Sequence, residues 1–180
     1  MLTVILTGGL SRRMGTDKSV LPVGDTTLAF FLAKKYACLG PVCFCVDRPG
    51  RFPTAPYGEL TDAYPGCGPL NGLVSAFRQT PEELVFLTAV DMPCASAAAV
   101  QALREAMGEA EACLYKGEPL FGLYRRSCLA AAERCLREGK NSFRDFLPLV
   151  NARLLPVEEG PDLRNLNTPE EYNAYLSLLK

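Results

Sequence analysis

The residues with the clearest chemical potential lie in one run near the start of the chain, from Leu6 to Lys18. The run follows an apolar segment, Met1 to Leu6, that is typical of a β-strand. Its glycines permit positive φ angles and let backbone N–H groups approach phosphate oxygens. Arg12, Arg13 and Lys18 supply opposing charge, the arginines as bidentate donors and the lysine as a point charge. The run therefore predicts a backbone cradle for a polyphosphate.

Two common phosphate-binding loops do not fit the spacing of this run. A Walker A loop needs a glycine, four residues and then Gly-Lys-Ser/Thr, whereas Lys18 follows Asp17 here. A dinucleotide fingerprint needs Gly-x-Gly-x-x-Gly, and Gly8 and Gly9 are adjacent. An ordinary glycine-rich turn with solvated charges is the alternative interpretation.

Asp91 is the second candidate for chemistry. It follows the apolar segment Leu84–Ala89 and precedes Met92-Pro93. A carboxylate at the carboxyl end of a strand, beside a phosphate cradle, is placed to hold Mg²⁺, which prefers one or two carboxylates plus phosphate oxygens. A helix N-cap or turn aspartate is the alternative.

Short apolar segments alternate along the chain with helical patterns, and this alternation favours an α/β fold. The predicted strands are Leu2–Leu6, Val42–Val46, Leu84–Ala89, Ala112–Tyr115, Leu120–Tyr124 and Arg153–Val157. The predicted helices are Thr27–Leu39, Leu70–Gln79, Ala95–Met107, Ser127–Glu138 and Glu170–Leu179. We expect one domain over residues 1–180, with a Rossmann-like, mostly parallel sheet and helices on both faces. Ligands of such sheets bind beyond the carboxyl ends of the strands.

The tetrapeptide Thr-Pro-Glu-Glu occurs twice, and its context predicts different roles. At Thr168–Glu171 an amphipathic segment follows, which indicates a helix N-cap, a proline at the first helical position and a capping box. At Thr80–Glu83 a buried apolar strand follows, which indicates a turn.

The amino-acid composition favours a globular protein and disfavours a nucleic-acid or membrane-surface binder. Of 180 residues, 48% are hydrophobic and 22% are charged, which is typical of a globular chain. The net charge of −1 lacks the basic excess of a nucleic-acid or membrane-surface binder, so we expect neither partner. A mononucleotide needs only a local positive pocket.

The cysteines and the start of the chain favour a cytoplasmic location. The sequence has eight cysteines without a C-x-x-C pair and no histidine, which disfavours a zinc site. We see no secretory signal and no apolar stretch of the length that spans a bilayer. The cysteines are interpreted as small core residues in a reducing compartment.

Five motifs in one order resemble the molybdenum cofactor guanylyltransferase family, within the wider group of sugar-nucleotide-transferase-like proteins. They cover nearly the whole chain and lie at Leu6–Lys18, Asp62–Gly72, Val90–Pro93, Pro119–Tyr124 and Asn165–Pro169. Several nucleotidyltransferases share the first motif. Two shorter patterns within these motifs favour the guanylyltransferase branch: Gly-Pro-Leu-x-Gly at Gly68–Gly72 and Asn-x-Asn-Thr-Pro at Asn165–Pro169.

The resemblance implies roles for individual residues. Nucleotide contacts are implied at the backbone of Leu6, Thr7, Gly8 and Gly9 and at the side chains of Lys18, Asp47, Asp62 and Asp91. Arg13 and Lys18 would neutralise the triphosphate, and Asp91 would hold the metal; these three form the expected catalytic set. Asn165 and Asn167 alternate around Leu166, so both amides can face one side of an extended segment, which faces the pterin in the resembling family.

The chain departs from the family pattern at two positions. The resembling enzymes carry an asparagine near the start of the Pro49–Gly58 loop, where this chain has Asp47, and an aspartate can only accept hydrogen bonds. Asp47 is therefore equally well interpreted as a solvated loop charge. The family also has a basic residue in the stretch corresponding to Phe146–Leu149, and none is present here.

The resemblance implies a Mg²⁺-dependent transfer of GMP from GTP to molybdenum-molybdopterin, with transient contact to molybdoenzymes or cofactor-handling proteins. A CTP-dependent molybdopterin cytidylyltransferase is the nearest alternative, followed by a nucleotidyltransferase for another phosphorylated acceptor. A nucleotide-binding regulator without turnover is the alternative from a different class. The retention of both Lys18 and Asp91 argues against that regulator.

Overall fold

The computed structural model describes residues 1–8, 16–53, 56–157 and 161–179. The strands of this part are β1 (Leu2–Leu6), β2 (Pro22–Val23), β3 (Thr26–Thr27), β4 (Val42–Val46), β5 (Gly58–Thr61), β6 (Leu84–Ala89), β7 (Ala112–Tyr115), β8 (Glu118–Arg125) and β9 (Ala152–Leu155). Its α-helices are α1 (Leu28–Tyr36), α2 (Leu70–Gln79), α3 (Ala97–Met107), α4 (Leu129–Arg137), α5 (Phe143–Phe146) and α6 (Pro169–Leu178).

Seven of these strands form one sheet in the order β5-β4-β1-β6-β8-β7-β9. Strand β8 runs antiparallel to both of its neighbours, and the remaining pairings are parallel. Strands β2 and β3 form a separate small hairpin. The mostly parallel sheet predicted from the sequence is confirmed.

Helices cover both faces of the sheet and bury its central strands. Helices α1, α3 and α6 pack on one face, and α2, α4 and α5 pack on the other. All five residues of β1 are buried, as expected for a strand covered on both sides. This double burial explains why β1, β4 and β6 appear in the sequence as continuous apolar runs.

The ends of two predicted strands differ from the structure, and a proline lies at each of these ends. Strand β9 spans Ala152–Leu155 rather than Arg153–Val157, since Pro156 has no N–H to continue the ladder. Strand β8 begins at Glu118 rather than Leu120, although Pro119 follows. That proline is tolerated because pairing of β8 with β6 begins only at Phe121.

Strand β5, the β2–β3 hairpin and the short helix α5 were not predicted. Strand β5 lies at the edge of the sheet and buries only Leu60, so it lacks an alternating apolar pattern. Gly58, the last residue of the loop predicted over Pro49–Gly58, is the first residue of β5.

The carboxyl ends of four neighbouring parallel strands meet at one edge of the sheet. Leu6 at the end of β1 is level with Cys45 of β4 and with Ala89 of β6, and Val46 is level with Thr61 of β5. Residues that directly follow these strands are therefore brought together, as the sequence predicts for the cradle and Asp91.

All eight cysteines lie in the described part of the chain and are free thiols. Cys45, Cys113, Cys128 and Cys135 are buried, in agreement with their interpretation as small core residues. The other four depart from it, since Cys43, Cys67 and Cys94 are partly buried and Cys38 is exposed. None of the helices that the structure describes is long and apolar enough to cross a membrane.

Candidate active site

A cavity of about 1170 Å³ opens at the carboxyl edge of β1, β4, β5 and β6. Its walls come from the segments that directly follow these strands and from the segment before α6. The lining residues that carry charge or an amide are Asp17, Lys18, Asp47, Arg48, Arg51, Asp62, Asp91, Asn165 and Asn167. Leu6, Thr7 and Gly8 also line it.

Lys18 lies at the centre of a three-residue polar cluster in this cavity. Its Nζ donates to Asp91 Oδ2 at 2.9 Å and to Asn167 Oδ1 at 2.8 Å. The lysine side chain is only 10% exposed. A buried ammonium is costly without partners, so the two oxygens stabilise its charged form. The structure thus joins residues from three distant motifs.

Asp17 shapes the backbone that presents Lys18. Lys18–Val20 forms one 3₁₀ turn, and Asp17 Oδ1 caps it by accepting from the backbone N of Ser19 at 2.9 Å and from Ser19 Oγ at 2.7 Å. Partial burial favours a higher pKa for Asp17, but hydrogen bonds from Ser19 and Arg51 outweigh it and lower that pKa. Asp17 is therefore an ionised cap, as expected at the start of a helical turn.

Asn167 is fixed by the start of α6. The backbone N of Leu166 donates to Asp91 O at 2.7 Å, and the Leu166 side chain is buried. The predicted capping box is confirmed, with Thr168 and Glu171 bonded reciprocally. Glu171 also accepts from the backbone N of Asn167 at 2.6 Å. These contacts hold the amide of Asn167 against Lys18.

Asp62 directly follows β5 and faces the cavity. Its backbone N donates to Val46 O at 3.1 Å, and its Oδ1 accepts from Cys45 Sγ at 3.4 Å. Burial raises the pKa of this carboxyl, and the negative charge of Asp47 raises it further. Within the described residues it has no cationic partner, so it is an acceptor available to a ligand.

The loop after Asp62 is held by two polar residues of α2. Asn71 Oδ1 accepts from the backbone N of Tyr64, and Ser75 Oγ accepts from the backbone N of Ala63, each at 2.8 Å. Both side chains are buried. Asn71, part of the Asp62–Gly72 motif, therefore stabilises the loop and does not line the cavity.

Gly72 allows the first turn of α2 to approach the end of β1. A Cβ at this position would lie 2.2 Å from Leu6 Cδ2 and 3.5 Å from Cys45 Sγ. Any side chain here would displace Leu6 from the cavity wall. This requirement accounts for the last glycine of the Gly-Pro-Leu-x-Gly piece.

The remaining predicted residues fall in two groups. Asp47 and Asn165 line the cavity, as do Leu6, Thr7 and Gly8. The Thr7 hydroxyl donates to Cys45 O at 2.7 Å, which ties the cradle to β4. Gly9 and Arg13 lie outside the described residues, so their predicted roles stay predictions.

The described walls of the cavity carry four carboxylates, Asp17, Asp47, Asp62 and Asp91, and three cations, Lys18, Arg48 and Arg51. The described side chains alone do not neutralise a triphosphate, and a divalent cation would add positive charge. Among the described residues, no cluster of three His, Cys, Asp or Glu side chains is present to bind a metal alone. One carboxylate and one amide oxygen, from Asp91 and Asn167, suit Mg²⁺ that also takes phosphate oxygens.

Sequence reasoning did not identify Arg51 or the contact between Asn167 and Lys18. Arg51 stands in a Pro/Gly-rich loop where a solvated charge is the ordinary expectation, and nothing in its spacing indicates a partner. Asn167 belongs to a motif that was predicted, but its partner comes from a segment 149 residues away.

Comparisons of the sequence with known proteins identify the family to which the chain belongs. The model of a family described as the MobA-like NTP transferase domain matches residues 3–153. A probable molybdenum cofactor guanylyltransferase of Carboxydothermus hydrogenoformans is 33% identical, over 98% of this chain and 96% of its own length. A protein of the same description from Synechococcus elongatus is 30% identical, over 95% of each chain.

Solved structures with a similar fold include a molybdopterin-guanine dinucleotide biosynthesis protein and a cytidylyltransferase. Molybdopterin-guanine dinucleotide biosynthesis protein A of Archaeoglobus fulgidus has a TM-score of 0.83 at 22% identity, covering 99% of this chain and 98% of that one. The 2-C-methyl-D-erythritol 4-phosphate cytidylyltransferase of Thermus thermophilus has a TM-score of 0.71 at 16% identity, covering 98% and 97%. At these identities the likeness establishes the fold.

Proposed function

Because this chain belongs to the molybdenum cofactor guanylyltransferase family of MobA-like nucleotidyltransferases, we propose that it transfers GMP from GTP to molybdenum-molybdopterin. Pyrophosphate is released and the guanine dinucleotide form of the cofactor is made. The observation that carries this proposal is the cluster of Lys18, Asp91 and Asn167 in a cavity of about 1170 Å³ at the carboxyl ends of the strands.

The chemistry needs alignment rather than a protein nucleophile. An oxygen of the terminal phosphate of molybdopterin attacks the α-phosphorus of GTP, and the bond from that phosphorus to the bridging oxygen of pyrophosphate breaks. A phosphate monoester is mostly dianionic at pH 7, since its second pKa is about 6. The absence of histidine from the sequence is compatible with this step because no general base has to create the nucleophile.

The nucleotide occupies the part of the cavity between β1, β4 and β5 in this proposal. Backbone groups of Leu6 to Gly9 border the nucleotide, and the N–H groups that follow Thr7 hold phosphate oxygens, because the N–H of Thr7 itself donates to Cys45 O at 3.2 Å. Arg13 and Lys18 provide positive charge. Asp62 accepts from the donor edge of guanine, a role that suits its cation-free position in the described part of the cavity. Asp47, which follows β4, lies on the same side.

Mg²⁺ is the proposed cofactor, with Asp91 as its carboxylate ligand. Bound there, it would neutralise the phosphates and stabilise the charge that develops on the leaving pyrophosphate. The amide oxygen of Asn167 lies against the same lysine as Asp91 and suits the same cation. Asp91 and Asn167 hold the Lys18 ammonium at this position.

In this proposal the pterin binds on the side of the cavity formed by the Asn165–Pro169 segment. Asn165 lines the cavity, and its amide can donate and accept hydrogen bonds to a pterin ring. Asn167 contributes from the same side. The stretch Phe146–Leu149 has no basic residue, so the pterin phosphate would depend on charge from elsewhere in the cavity.

We further propose that residues 1–180 form one nucleotidyltransferase domain that works in the cytoplasm. The family model spans residues 3–153, and one sheet takes strands from Leu2 to Leu155. The eight free thiols suit a reducing compartment. Contact with molybdoenzymes or cofactor-handling proteins would be transient.

The test is pyrophosphate release with each of the four NTPs, with and without molybdenum-molybdopterin. The proposal expects release only when GTP and the pterin are both present, together with formation of the guanine dinucleotide. Release with GTP and a different phosphorylated acceptor, but not with the pterin, would contradict the proposed acceptor.

A further inference from the structure

Arg51 makes three polar contacts that the proposed chemistry does not require. Its Nη1 donates to Asp47 Oδ1 at 3.2 Å, and its Nη2 donates to Ser19 Oγ at 3.3 Å and to Asp17 Oδ2. The side chain is 16% exposed although it stands in a surface loop. A long, entropically costly side chain is thus held in one arrangement at the wall of the cavity.

The loop that carries Arg51 is itself firmly built. The carboxylate of Glu59 on β5 accepts from the backbone N of Gly50, at 2.6 Å, and from that of Phe52. Gly50 has a φ of 73°, a conformation that favours glycine. Phe52 is buried, with its ring centroid 4.6 Å from that of Phe44. Because both neighbours of Arg51 are anchored, its guanidinium is directed to one place.

The guanidinium of Arg51 contacts Asp17, the residue that caps the Lys18–Val20 turn. Oδ1 of Asp17 accepts from Ser19, and Oδ2 of Asp17 accepts from Arg51. Nη2 of Arg51 contacts both Asp17 and Ser19 Oγ, so a single guanidinium nitrogen bonds to the capping residue and to the residue that it caps. The contacts run from the loop after β4, through Asp17, to the turn that presents Lys18.

We infer that Arg51 is a positioning residue, which acts on the triphosphate by holding Asp17 and, through it, Lys18. The inference rests on the proposed function only for the identity of the nucleotide. A phosphate-binding group must be held within about 0.5 Å of its productive place, and its support comes from neighbouring hydrogen bonds. Loss of Arg51 therefore weakens a contact that Arg51 does not itself make.

The first experiment measures the stability of the Lys18–Val20 turn in the absence of nucleotide. Hydrogen exchange of the peptide that covers Asp17–Leu21 is compared among the parent protein, Arg51→Met and the control Arg104→Met, an exposed arginine on α3. We expect faster exchange of the Ser19 amide in Arg51→Met only. Unchanged exchange there would overturn the inference.

The second experiment is a double-mutant cycle on the affinity for Mg-GTP, measured by calorimetry without the pterin. Arg51→Met is expected to weaken binding about tenfold, in line with misplacement of a binding group. In a Lys18→Ala background the same change should add less than about twofold, since interacting residues are non-additive. A tenfold weakening of Mg-GTP affinity in both backgrounds would mean that Arg51 contacts the nucleotide itself. Unchanged affinity in both backgrounds would show that Arg51 has no part in nucleotide binding.

These outcomes separate the inference from the proposed function. If the parent protein binds another nucleoside triphosphate and not GTP, the guanine assignment fails, and the cycle is carried out with the nucleotide that binds. The exchange measurement requires no nucleotide, so it decides the role of Arg51 in either case.

Discussion

The ammonium of Lys18 lies 2.9 Å from a carboxylate oxygen of Asp91, although 73 residues separate them in the sequence. Asn167, at 2.8 Å, completes the surroundings of the ammonium. Both partner oxygens are of the kind that Mg²⁺ prefers. We propose that Lys18 occupies the position of the metal, and that a nucleotide that draws Lys18 to its phosphates releases these oxygens for Mg²⁺.

The first prediction is that the nucleotide-free protein binds divalent metal weakly and that GTP strengthens this binding. Mn²⁺ serves as the paramagnetic probe, with free Mn²⁺ measured by EPR. In Lys18→Met, which keeps the apolar stem and removes the charge, nucleotide-free Mn²⁺ affinity should rise by about tenfold because repulsion between the two cations is gone.

Lys34→Met is the matched control, since Lys34 is exposed on α1. Equal Mn²⁺ affinity in the parent protein and Lys18→Met would show that the lysine does not compete with the metal.

Asp91→Asn is expected to keep the fold and to lose most turnover. The amide oxygen can still accept from Lys18, so the cluster survives, whereas the charge on the metal ligand is lost. Loss of one group that stabilises charge costs roughly 10²–10³ in rate. Steady-state pyrophosphate release at saturating Mg²⁺ measures the effect, with Asp25→Asn on the surface as control. Unchanged Mg²⁺-dependent turnover would reject Asp91 as the ligand.

Lys18→Ala is expected to lower GTP affinity or rate at least tenfold, which corresponds to about 1.4 kcal/mol. The physical reason is the loss of a point charge that faces the phosphates. Calorimetric titration with Mg-GTP, followed by kinetics at several GTP concentrations, separates affinity from rate. Near-normal values for both would assign Lys18 a structural role as the partner of Asp91.

Asp62→Asn is expected to change stability and GTP use in opposite directions. Burial raises the pKa of Asp62 above its ordinary value of 3.8, so folding favours its protonated form. Its contribution to stability is then present at low pH and is lost as the pH rises through the folded pKa. At pH 7 the neutral variant should melt at a higher temperature, and this gain should shrink as the pH falls toward 3.8.

The same variant should use GTP less efficiently, because an acceptor for the guanine edge becomes a weaker one. Glu109→Gln, at an exposed acidic residue outside the cavity, should change neither property. A variant that is less stable and less active would indicate that Asp62 is needed for folding instead.

Much of the framework was predictable because it depends on local patterns. Strands β1, β4, β6 and β7 and helix α2 have the bounds that apolar runs and turn residues predict. The capping box at Thr168 is a strictly local signal and was also found. The common edge of the strand ends then follows from the topology of a parallel sheet.

The long-range polar contacts were not predictable. Arg51 reaches Asp17 across 34 residues, and Lys18 reaches Asn167 across 149. Such pairings depend on which loops the sheet order makes neighbours, and strand β5, which shapes the loop of Arg51, was itself missed. Lys18 and Asn167 were predicted as site residues and Arg51 was not, and the partners of all three are a property of the folded chain.

Base choice is the claim on which the proposed function depends most. Guanine offers donors at N1 and N2 and an acceptor at O6, whereas cytosine presents a shorter edge with a different order of groups. Hydrogen-bonding groups that a wrong base leaves unpaired cost about 1–3 kcal/mol each. The loops after Val46 and at Asp62–Gly72 border the cavity where this discrimination would occur.

The most direct measurement is the catalytic efficiency with GTP and with CTP, each titrated at a fixed concentration of molybdenum-molybdopterin, with pyrophosphate release as the readout. We expect kcat/KM for GTP to exceed that for CTP by at least tenfold, about 1.4 kcal/mol of transition-state discrimination. A higher efficiency with CTP would contradict the guanylyltransferase assignment and favour a cytidylyltransferase.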